Sequence, residues 1–234
     1  MKFFRKLLLF ILIAIVIVGG ILYANGYKMY KEAIDKVSIS EKVKSVQNNS
    51  NFVSIKDVPD YYINAIVSVE DHRFYQHKTI DIISIGRAII SNIKQQEFKE
   101  GASTITQQTA KNLYFIEEDD AISRKVAEIL VGIDLEKNYS KQQILELYYN
   151  TIYFGNGYYG IKEASKGYLN KEPNKMNISD ATMLAGVPNA PSVYAPTSNP
   201  DLTAKRQKKV ISSMVEYGYI TQEEANTIKL YTAP

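Results

Sequence analysis

Val69-Glu70-Asp71-His72-Arg73-Phe74-Tyr75-Gln76-His77, followed further along by Gly101-Ala102-Ser103-Thr104-Ile105-Thr106-Gln107-Gln108-Thr109-Ala110-Lys111-Asn112, is the stretch on which the reading of this chain turns. A Glu-Asp pair beside a His and an Arg sets a proton acceptor next to groups able to orient it, the arrangement that general acid/base chemistry needs. The Ser-Thr-x-Thr-Gln-Gln run carries donors and acceptors on short side chains, suited to gripping hydroxyls or phosphate oxygens rather than to filling a core. Each segment taken alone has a plainer account, since Glu-Asp can close a helix and Ser-Thr can open one.

Working outward, Asp57 with Pro59 behind it opens a helix whose apolar stripe is Tyr62, Ile63, Ile66 and Val67, so Glu70 falls where helix gives way to loop. A second helix fits Asp81 to Lys94, with Ile82, Ile85, Ile89 and Ile93 on one face, and the polar Lys94–Glu100 segment reads as a mobile loop. Thr104-x-x-Gln107 has capping-box form and predicts a helix from Thr104 to Tyr114. On that helix Thr104, Gln108 and Lys111 share one face, with Ser103 at the N-terminal end, where free backbone N–H groups favour anions. A phosphate-binding face is expected there.

The next helix takes Ile122, Val126, Ile129, Leu130 and Ile133 as its apolar stripe, which places Arg124 and Glu128 together on the polar face. By themselves those two are better explained as an i,i+4 ion pair worth ~0.2–0.5 kcal/mol. Ser140-x-x-Gln143 opens a helix that carries Ile144, Leu145 and Tyr148 to Asn150. Tyr153 to Gly160 is too rich in glycine for a helix and too aromatic for a solvated loop, and is expected to pack beside a cleft. Helices are predicted at 161–169 and 179–187, the second stopped by Pro188, with 189–196 extended. Pro200 opens another, ended at Gly218, and Thr221-x-x-Glu224 caps a last one. Helix follows helix with no βαβ alternation, which predicts a mainly α fold.

The 234 residues allow one sizeable domain with an anchor. The absence of cysteine excludes a disulfide framework, thiolate metal sites and a Cys nucleophile. Formal net charge is +3, and Lys2, Arg5 and Lys6 account for all of it, so the rest of the chain is balanced and nothing points to nucleic acid. Leu7 to Ala24 is eighteen residues without a charge, flanked by those three cations and by Lys28 and Lys31. Such a run sits at the lower edge of the ~17–25 residues that span a bilayer and exceeds the ~7–15 of a cleaved signal peptide. An uncleaved signal anchor is expected; cleavage after Leu22-Tyr23-Ala24 is the alternative. The positive cluster before the span keeps the N-terminus cytoplasmic and sends everything after Tyr27 outside. The division is then 1–27 cytoplasmic tip and transmembrane anchor, 28–50 a polar stalk holding the domain off the bilayer, and 51–234 the catalytic domain.

With these residues assembled, the chain resembles glycosyltransferase family 51. This is the peptidoglycan glycosyltransferase module found alone in monofunctional biosynthetic transglycosylases and at the front of class A penicillin-binding proteins. The likeness covers residues 50–220 and runs through four ordered motifs: Glu70-Asp71-x-x-Phe74-x-x-His77; Gly101-x-Ser103-Thr104-Ile105-Thr106-Gln107-Gln108 with Lys111-Asn112; Arg124-Lys125-x-x-Glu128; and Lys141-x-x-Ile144-Leu145-Glu146-x-Tyr148-x-Asn150. The resemblance implies a lysozyme-like helical domain with a small membrane-proximal lobe, preceded by one transmembrane helix. It implies an enzyme that polymerises lipid II into β-1,4 glycan strands, inverting at C1 and releasing undecaprenyl pyrophosphate. Glu70 would then be the base that takes the acceptor's 4-hydroxyl proton, and Glu128 the second carboxylate, positioning the donor or its positive partners. Ser103, Thr104, Gln108, Lys111, Asn112 and Arg124 would bind substrate. No cofactor is required, no metal ligands are implied, and a divalent cation, Mg or Mn, is compatible. The partners implied are lipid II, the growing glycan strand, the lipid bilayer and other cell-wall synthesis proteins. The place implied is the bacterial cell membrane, single-pass, with the catalytic domain extracytoplasmic.

Two positions depart from the family pattern. Thr79 stands where a glycine is usual, and Asp120 replaces a basic residue a turn before Arg124, which bears on donor affinity more than on reaction type. No transpeptidase half is expected, because Ser91-Asn92-Ile93-Lys94 matches Ser-x-x-Lys without a Ser-x-Asn or Lys-Thr-Gly partner. Two other readings use the same residues. A lysozyme-like lytic enzyme also needs a helix-borne glutamate, and a non-catalytic cell-wall scaffold would keep the motifs; the intact carboxylates argue against the scaffold.

Overall fold

In a bilayer no water reaches the backbone, and a helix satisfies every N–H and C=O within one segment. The uncharged run accordingly folds as part of α1 (Lys2–Lys36) in the computed structural model, which describes residues 2–95 and 103–232. Among the described residues α1 is the one helix long and apolar enough to cross a membrane, and Leu8, Phe10, Ile15 and Val16 on it stand exposed. The remaining helices are α2 (Ile39–Gln47), α3 (Asp60–Glu70), α4 (Ile82–Gln95), α5 (Ile105–Tyr114), α6 (Ala121–Asn138), α7 (Lys141–Thr151), α8 (Ile161–Leu169), α9 (Ile178–Gly186), α10 (Pro191–Tyr194), α11 (Pro200–Glu216) and α12 (Gln222–Thr227). The fold is mainly α. Among the described residues the β pairing is a single bridge between Tyr153 and Tyr159.

The core has two halves that meet at α3 and α7. α3 lies between α9 and α11, and α5 packs against α6 and α7. Tyr62 of α3 meets Tyr149 of α7 edge to face, with ring centroids 6.3 Å apart, and Phe74, Ile105, Leu135 and Tyr148 are fully buried around them. Aromatic pairs of this geometry add ~0.5–1.5 kcal/mol beyond the area they bury. α7 and α12 begin at reciprocal capping boxes on Ser140 and Thr221. At α5 the box is half made: Thr104 accepts the Gln107 N–H, but the Gln107 side chain donates to the Thr79 carbonyl instead of returning to the cap.

Several expectations are corrected by packing. α3 starts after Pro59, because Asp57 closes a short 3₁₀ turn. Residues 28–50 do not form a stalk. α1 continues to Lys36, α2 follows, and Met29, Tyr30, Ala33, Ile34, Val43 and Val46 pack against the core at helical spacing between the polar residues. Tyr30 donates a hydrogen bond to Asp134 of α6, and Tyr114 donates to the Val37 carbonyl at 2.9 Å.

The buried face of α6 is Ser123, Ala127, Glu128, Val131, Gly132 and Leu135, whereas Ile122 and Ile133 are exposed. Small residues select that face, since a Cβ at Gly132 would meet Thr79 at 2.5 Å and Thr106 of α5 at 3.3 Å. Glu128 therefore points inward rather than onto a solvated surface. On α4, Ile82 is exposed instead of lying on a buried stripe, and the side chains of Ile89 and Ile93 lie outside the described residues. Lys94 is helical; the loop expected onward from it, with Gly101 of the second motif, lies outside them too. Pro191 opens the short α10 where extended chain was expected, because proline's fixed φ suits the first helical position.

The close approach of α1 and α6 depends on Gly26. A Cβ there would sit 2.4 Å from Val126 Cβ and 2.8 Å from the Ser123 carbonyl oxygen, and a backbone atom cannot swing away. Replacing Gly26 with Ala is expected to cost ~1–3 kcal/mol, the usual penalty of overpacking, seen as a lower melting temperature of the full chain in detergent. Gly19→Ala, with nothing within 4 Å, is the control that should leave the melt unchanged.

Candidate active site

α3 ends on Glu70 because Asp71 leaves helical geometry and turns its carboxylate back into the protein. One Asp71 oxygen accepts the Ile105 N–H at the start of α5 at 3.1 Å, and the other faces His77 Nε2 at 2.7 Å. Asp71 thus fastens the two halves of the quoted stretch to each other. His77 also turns Nδ1 to the Lys78 carbonyl. Burial alone would lower its pKa, but the hydrogen bond and charge of Asp71 outweigh burial and raise it, as suits a ring whose two nitrogens both face acceptors.

Held at the junction, Glu70 lines a cleft of about 420 Å³ with its side chain 9% exposed. Gln108 of α5 donates to one carboxylate oxygen at 3.1 Å, and Arg206 of α11 approaches the other at 3.4 Å. Burial raises the Glu70 pKa, Arg206 and Gln108 pull it down, and the Asp71 charge pushes it up again; the net direction is upward. A carboxylate whose pKa is raised toward the working pH is a stronger base while it remains ionised. Tyr148 is buried near this carboxylate, and burial first and the Glu70 charge second raise its pKa, so it stays a neutral phenol beneath the site.

The second carboxylate, Glu128, is 2% exposed. Lys125 Nζ lies 2.5 Å from one of its oxygens and Arg124 Nε 3.2 Å from the other. Lys125 reaches onward to Ser103 Oγ at 3.1 Å and Gln107 Oε1 at 3.3 Å, and Ser103 also lines the Glu70 cleft. Ser103 is therefore the link between the two carboxylates.

The other expected substrate contacts are placed unevenly. Lys111 is exposed, one turn beyond Gln108 on α5. Asn112 is half-buried, and its Nδ2 has no hydrogen-bond partner among the described residues. Arg124 donates to the Glu118 carbonyl at 2.6 Å as well as pairing with Glu128. Thr104 is buried, and its hydroxyl donates to the Thr79 carbonyl at 2.8 Å while accepting the Gln107 N–H, so it serves the site only by positioning α5. Asp120 caps α6 by accepting the Ile122 and Ser123 N–H groups, which accounts for an acid at that position. The fourth motif is scaffold: Glu146 accepts the Ile55 N–H and Asn150 the Val53 N–H.

Two residues of the site were not assigned from sequence. Lys125 stands inside the third motif without a role there. Arg206 sits in the Lys205-Arg206-Gln207-Lys208-Lys209 run, where four of five residues are cationic and none stands out by type. The signal was phase, because Arg206 falls three residues after Thr203 and four before Val210, both buried. Gly186 makes room for it: a Cβ there would meet Arg206 Cγ at 2.9 Å, and its carbonyl accepts from Arg206 Nε at 3.3 Å.

Asp71, His77 and Asp81 place ligand atoms within 4.8 Å of one another. They do not fit a cation. Asp81 already accepts from the Ile83 and Ser84 N–H groups and the Ser84 hydroxyl and pairs with Arg73, and both nitrogens of His77 are engaged.

Comparison with known proteins follows the same residues. A family model described as Transglycosylase matches residues 36–215. Penicillin-binding protein 1F of Bacillus subtilis (strain 168) is 44% identical over 179 residues, covering 76% of this chain and 25% of that protein. Penicillin-binding protein 1A of Neisseria lactamica is 40% identical over 178 residues, covering 76% and 22%. The chain spans about a quarter of the length of these relatives. The crystal structure of penicillin-binding protein 1A from Haemophilus influenzae is matched over 78% of this chain and 18% of that one, with a TM-score of 0.47 and 22% identity.

The raised Glu70 pKa has a consequence for stability. The folded value lies above the unfolded one, so the fold favours the protonated acid, and the ionised form costs stability once pH exceeds the unfolded value. Glu70→Gln removes that cost, opposed by leaving Arg206 without its carboxylate. The variant is expected to melt no lower than the parent at pH 7, and its advantage should shrink as pH falls through the carboxylate range. A clearly lower melt at pH 7 would contradict the direction of the shift.

Proposed function

The chain belongs to the transglycosylase family, and on that premise we propose that it is a peptidoglycan glycosyltransferase that polymerises lipid II with Glu70 as its base. The observation that supports the base assignment is the setting of Glu70: at a helix end, mostly buried, its pKa raised, with Gln108 and Arg206 holding its two oxygens at the wall of a cleft.

In the proposed reaction a Glu70 oxygen takes the proton from the acceptor's sugar 4-hydroxyl as that hydroxyl's oxygen attacks C1 of the donor. The C1–O bond to pyrophosphate breaks on the opposite face, C1 inverts, and undecaprenyl pyrophosphate leaves with the electron pair. Negative charge grows on the leaving group while C1 becomes oxocarbenium-like, so the enzyme needs cations on the side away from the base. Lys111 and Arg124 supply that positive charge, and Ser103 at the start of α5 adds a hydroxyl donor, with Gln108 and Asn112 beside them. Glu128 acts at one remove: it holds Arg124 and Lys125, and Lys125 holds Ser103. Thr104 keeps the start of α5 in place. No step runs through a metal ion.

The same reading places α1 across the bacterial cell membrane in a single pass, with the catalytic domain outside, beside the lipid-linked donor and the growing strand. Other cell-wall synthesis proteins are its proposed neighbours.

Incubating the purified full chain with lipid II and sizing the glycan tests this directly. Glu70→Gln should slow polymerisation by ~10²–10⁴, the usual worth of a positioned acid/base group, with donor binding largely retained. Glu128→Gln, Lys111→Ala and Arg124→Ala should each weaken donor binding as well as rate, since they act on the leaving group's cations. Near-parental polymerisation by a folded Glu70→Gln would refute the mechanism, and shortening of preformed glycan without lengthening of lipid II would favour a lytic enzyme.

A further inference from the structure

Tyr148 stands near the end of α7 with 1% of its surface exposed, and its hydroxyl is buried without a hydrogen-bond partner among the described residues. A buried hydroxyl that bonds nothing is unfavourable, and native folds keep one where a water or a reacting group completes it. Beyond burial, Glu70 acts on this phenol most strongly, followed by Tyr62, Arg206 and Asp71.

The last three do not accept its proton in a hydrogen bond. Arg206 has donors only. Asp71 commits one oxygen to the Ile105 N–H and the other to His77. Tyr62 is a second buried phenol without a partner, and the two hydroxyls make no hydrogen bond to each other. Glu70 remains. An ionised carboxylate offers about four lone-pair sites. Among the described residues Gln108 takes one at 3.1 Å and Arg206 approaches another at 3.4 Å. A donor without an acceptor thus lies beside an acceptor short of donors. Tyr148 makes no direct hydrogen bond to Glu70. Between buried polar groups such a gap is closed by a bridging water, which bonds nearly as well as direct contact.

We propose that Tyr148 is a positioning residue for Glu70: its hydroxyl donates to a buried water, and that water donates to the Glu70 carboxylate from beneath. Tyr148 does not line the cleft, so the bridge reaches Glu70 from the protein side and leaves the cleft-facing lone pairs to the acceptor's hydroxyl. The added hydrogen bond keeps Glu70 ionised at lower pH than burial alone would allow. The phenol holds its own proton, because burial and the Glu70 charge raise its pKa well above the ordinary value. The part played in catalysis rests on Glu70 being the base; the contact itself does not.

The test is Tyr148→Phe in the full chain, which keeps the ring and removes the hydroxyl. Tyr62→Phe is the control, since it removes a buried phenol hydroxyl that also lacks a partner but on which no carboxylate acts. The titratable groups that face Glu70 are Asp71 and His72 from the adjoining loop, Arg87 from α4, and Arg206, Lys209, Glu216 and Tyr217 from the α11 wall; both variants leave them in place. Two titrations are followed. One is the Glu70 carboxyl band in the infrared difference spectrum of isotope-labelled protein, identified by its loss in Glu70→Gln. The other is the acid limb of kcat/KM for lipid II polymerisation. In Tyr148→Phe both should move up by about one pH unit, the lower end of what a hydrogen bond to a charged group is worth, so that kcat/KM below the limb falls about tenfold while the plateau above it is kept. Tyr62→Phe should move neither. A Glu70 band unmoved in Tyr148→Phe, or moved equally in Tyr62→Phe, would overturn the proposal. A shifted band with an unshifted kinetic limb would uphold the contact and remove Glu70 as the base.

Discussion

One carboxylate holds the site together. Asp71 accepts the Ile105 N–H with one oxygen and binds His77 with the other, so the last turn of α3 and the first turn of α5 cannot move apart without exposing a buried charge. A buried, charge-assisted pair of this kind is expensive to break, because removing one partner strands the other in a low dielectric. Glu70 is adjacent in sequence and inherits that rigidity, and Gln108 meets it because α5 is pinned at its start. Lys125 extends the same frame to α6, joining Glu128 to Ser103 and Gln107. The positions of both carboxylates therefore follow from contacts made below the cleft rather than in it.

That frame lets an unfavourable group persist. Glu70 is largely desolvated, with one amide and one long guanidinium contact among the described residues to offset burial, whereas Glu128 has two cations within 3.2 Å. Two glutamates in one site thus stand in opposite electrostatic settings, and differences of that kind separate a proton acceptor from a supporting ion pair. The packing of α1 and α2 on α6 adds a mechanical element, since the helix that carries the long apolar run also buttresses the helix bearing Glu128.

Much of the fold was readable because local rules decide it. The stripe on α3, the caps at Ser140 and Thr221, and the stop at Gly218 each depend on residues within a turn or two of one another. Glu70 could be placed at a helix end on the same grounds. What escaped depended on partners distant in sequence. The inward turn of Glu128 was hidden because the larger apolar residues of α6 suggested one face, while α1 and α5 selected another through Gly26, Ala127 and Gly132. The segment after Tyr27 looked like a stalk because its polar residues outnumber the apolar ones, yet Met29, Tyr30 and Ala33 share one side. Arg206 reaches Glu70 from the far end of the chain through a gap that Gly186 leaves, and no pattern near Glu70 announces it. Thr79 looked like a departure, but its carbonyl receives Thr104 and Gln107 and its methyl fills the space over Gly132.

The central claim is that the buried Glu70 must be ionised, as the carboxylate that accepts the proton, for the chain to act. The pH dependence of kcat/KM for lipid II polymerisation reports the ionisation of the free enzyme's base. The account predicts an acid limb above the ordinary glutamate value of about 4.3, moving to still higher pH in Arg206→Met, because Arg206 is the largest influence drawing the Glu70 pKa down. An acid limb at the ordinary value, unmoved by Arg206→Met, would contradict it.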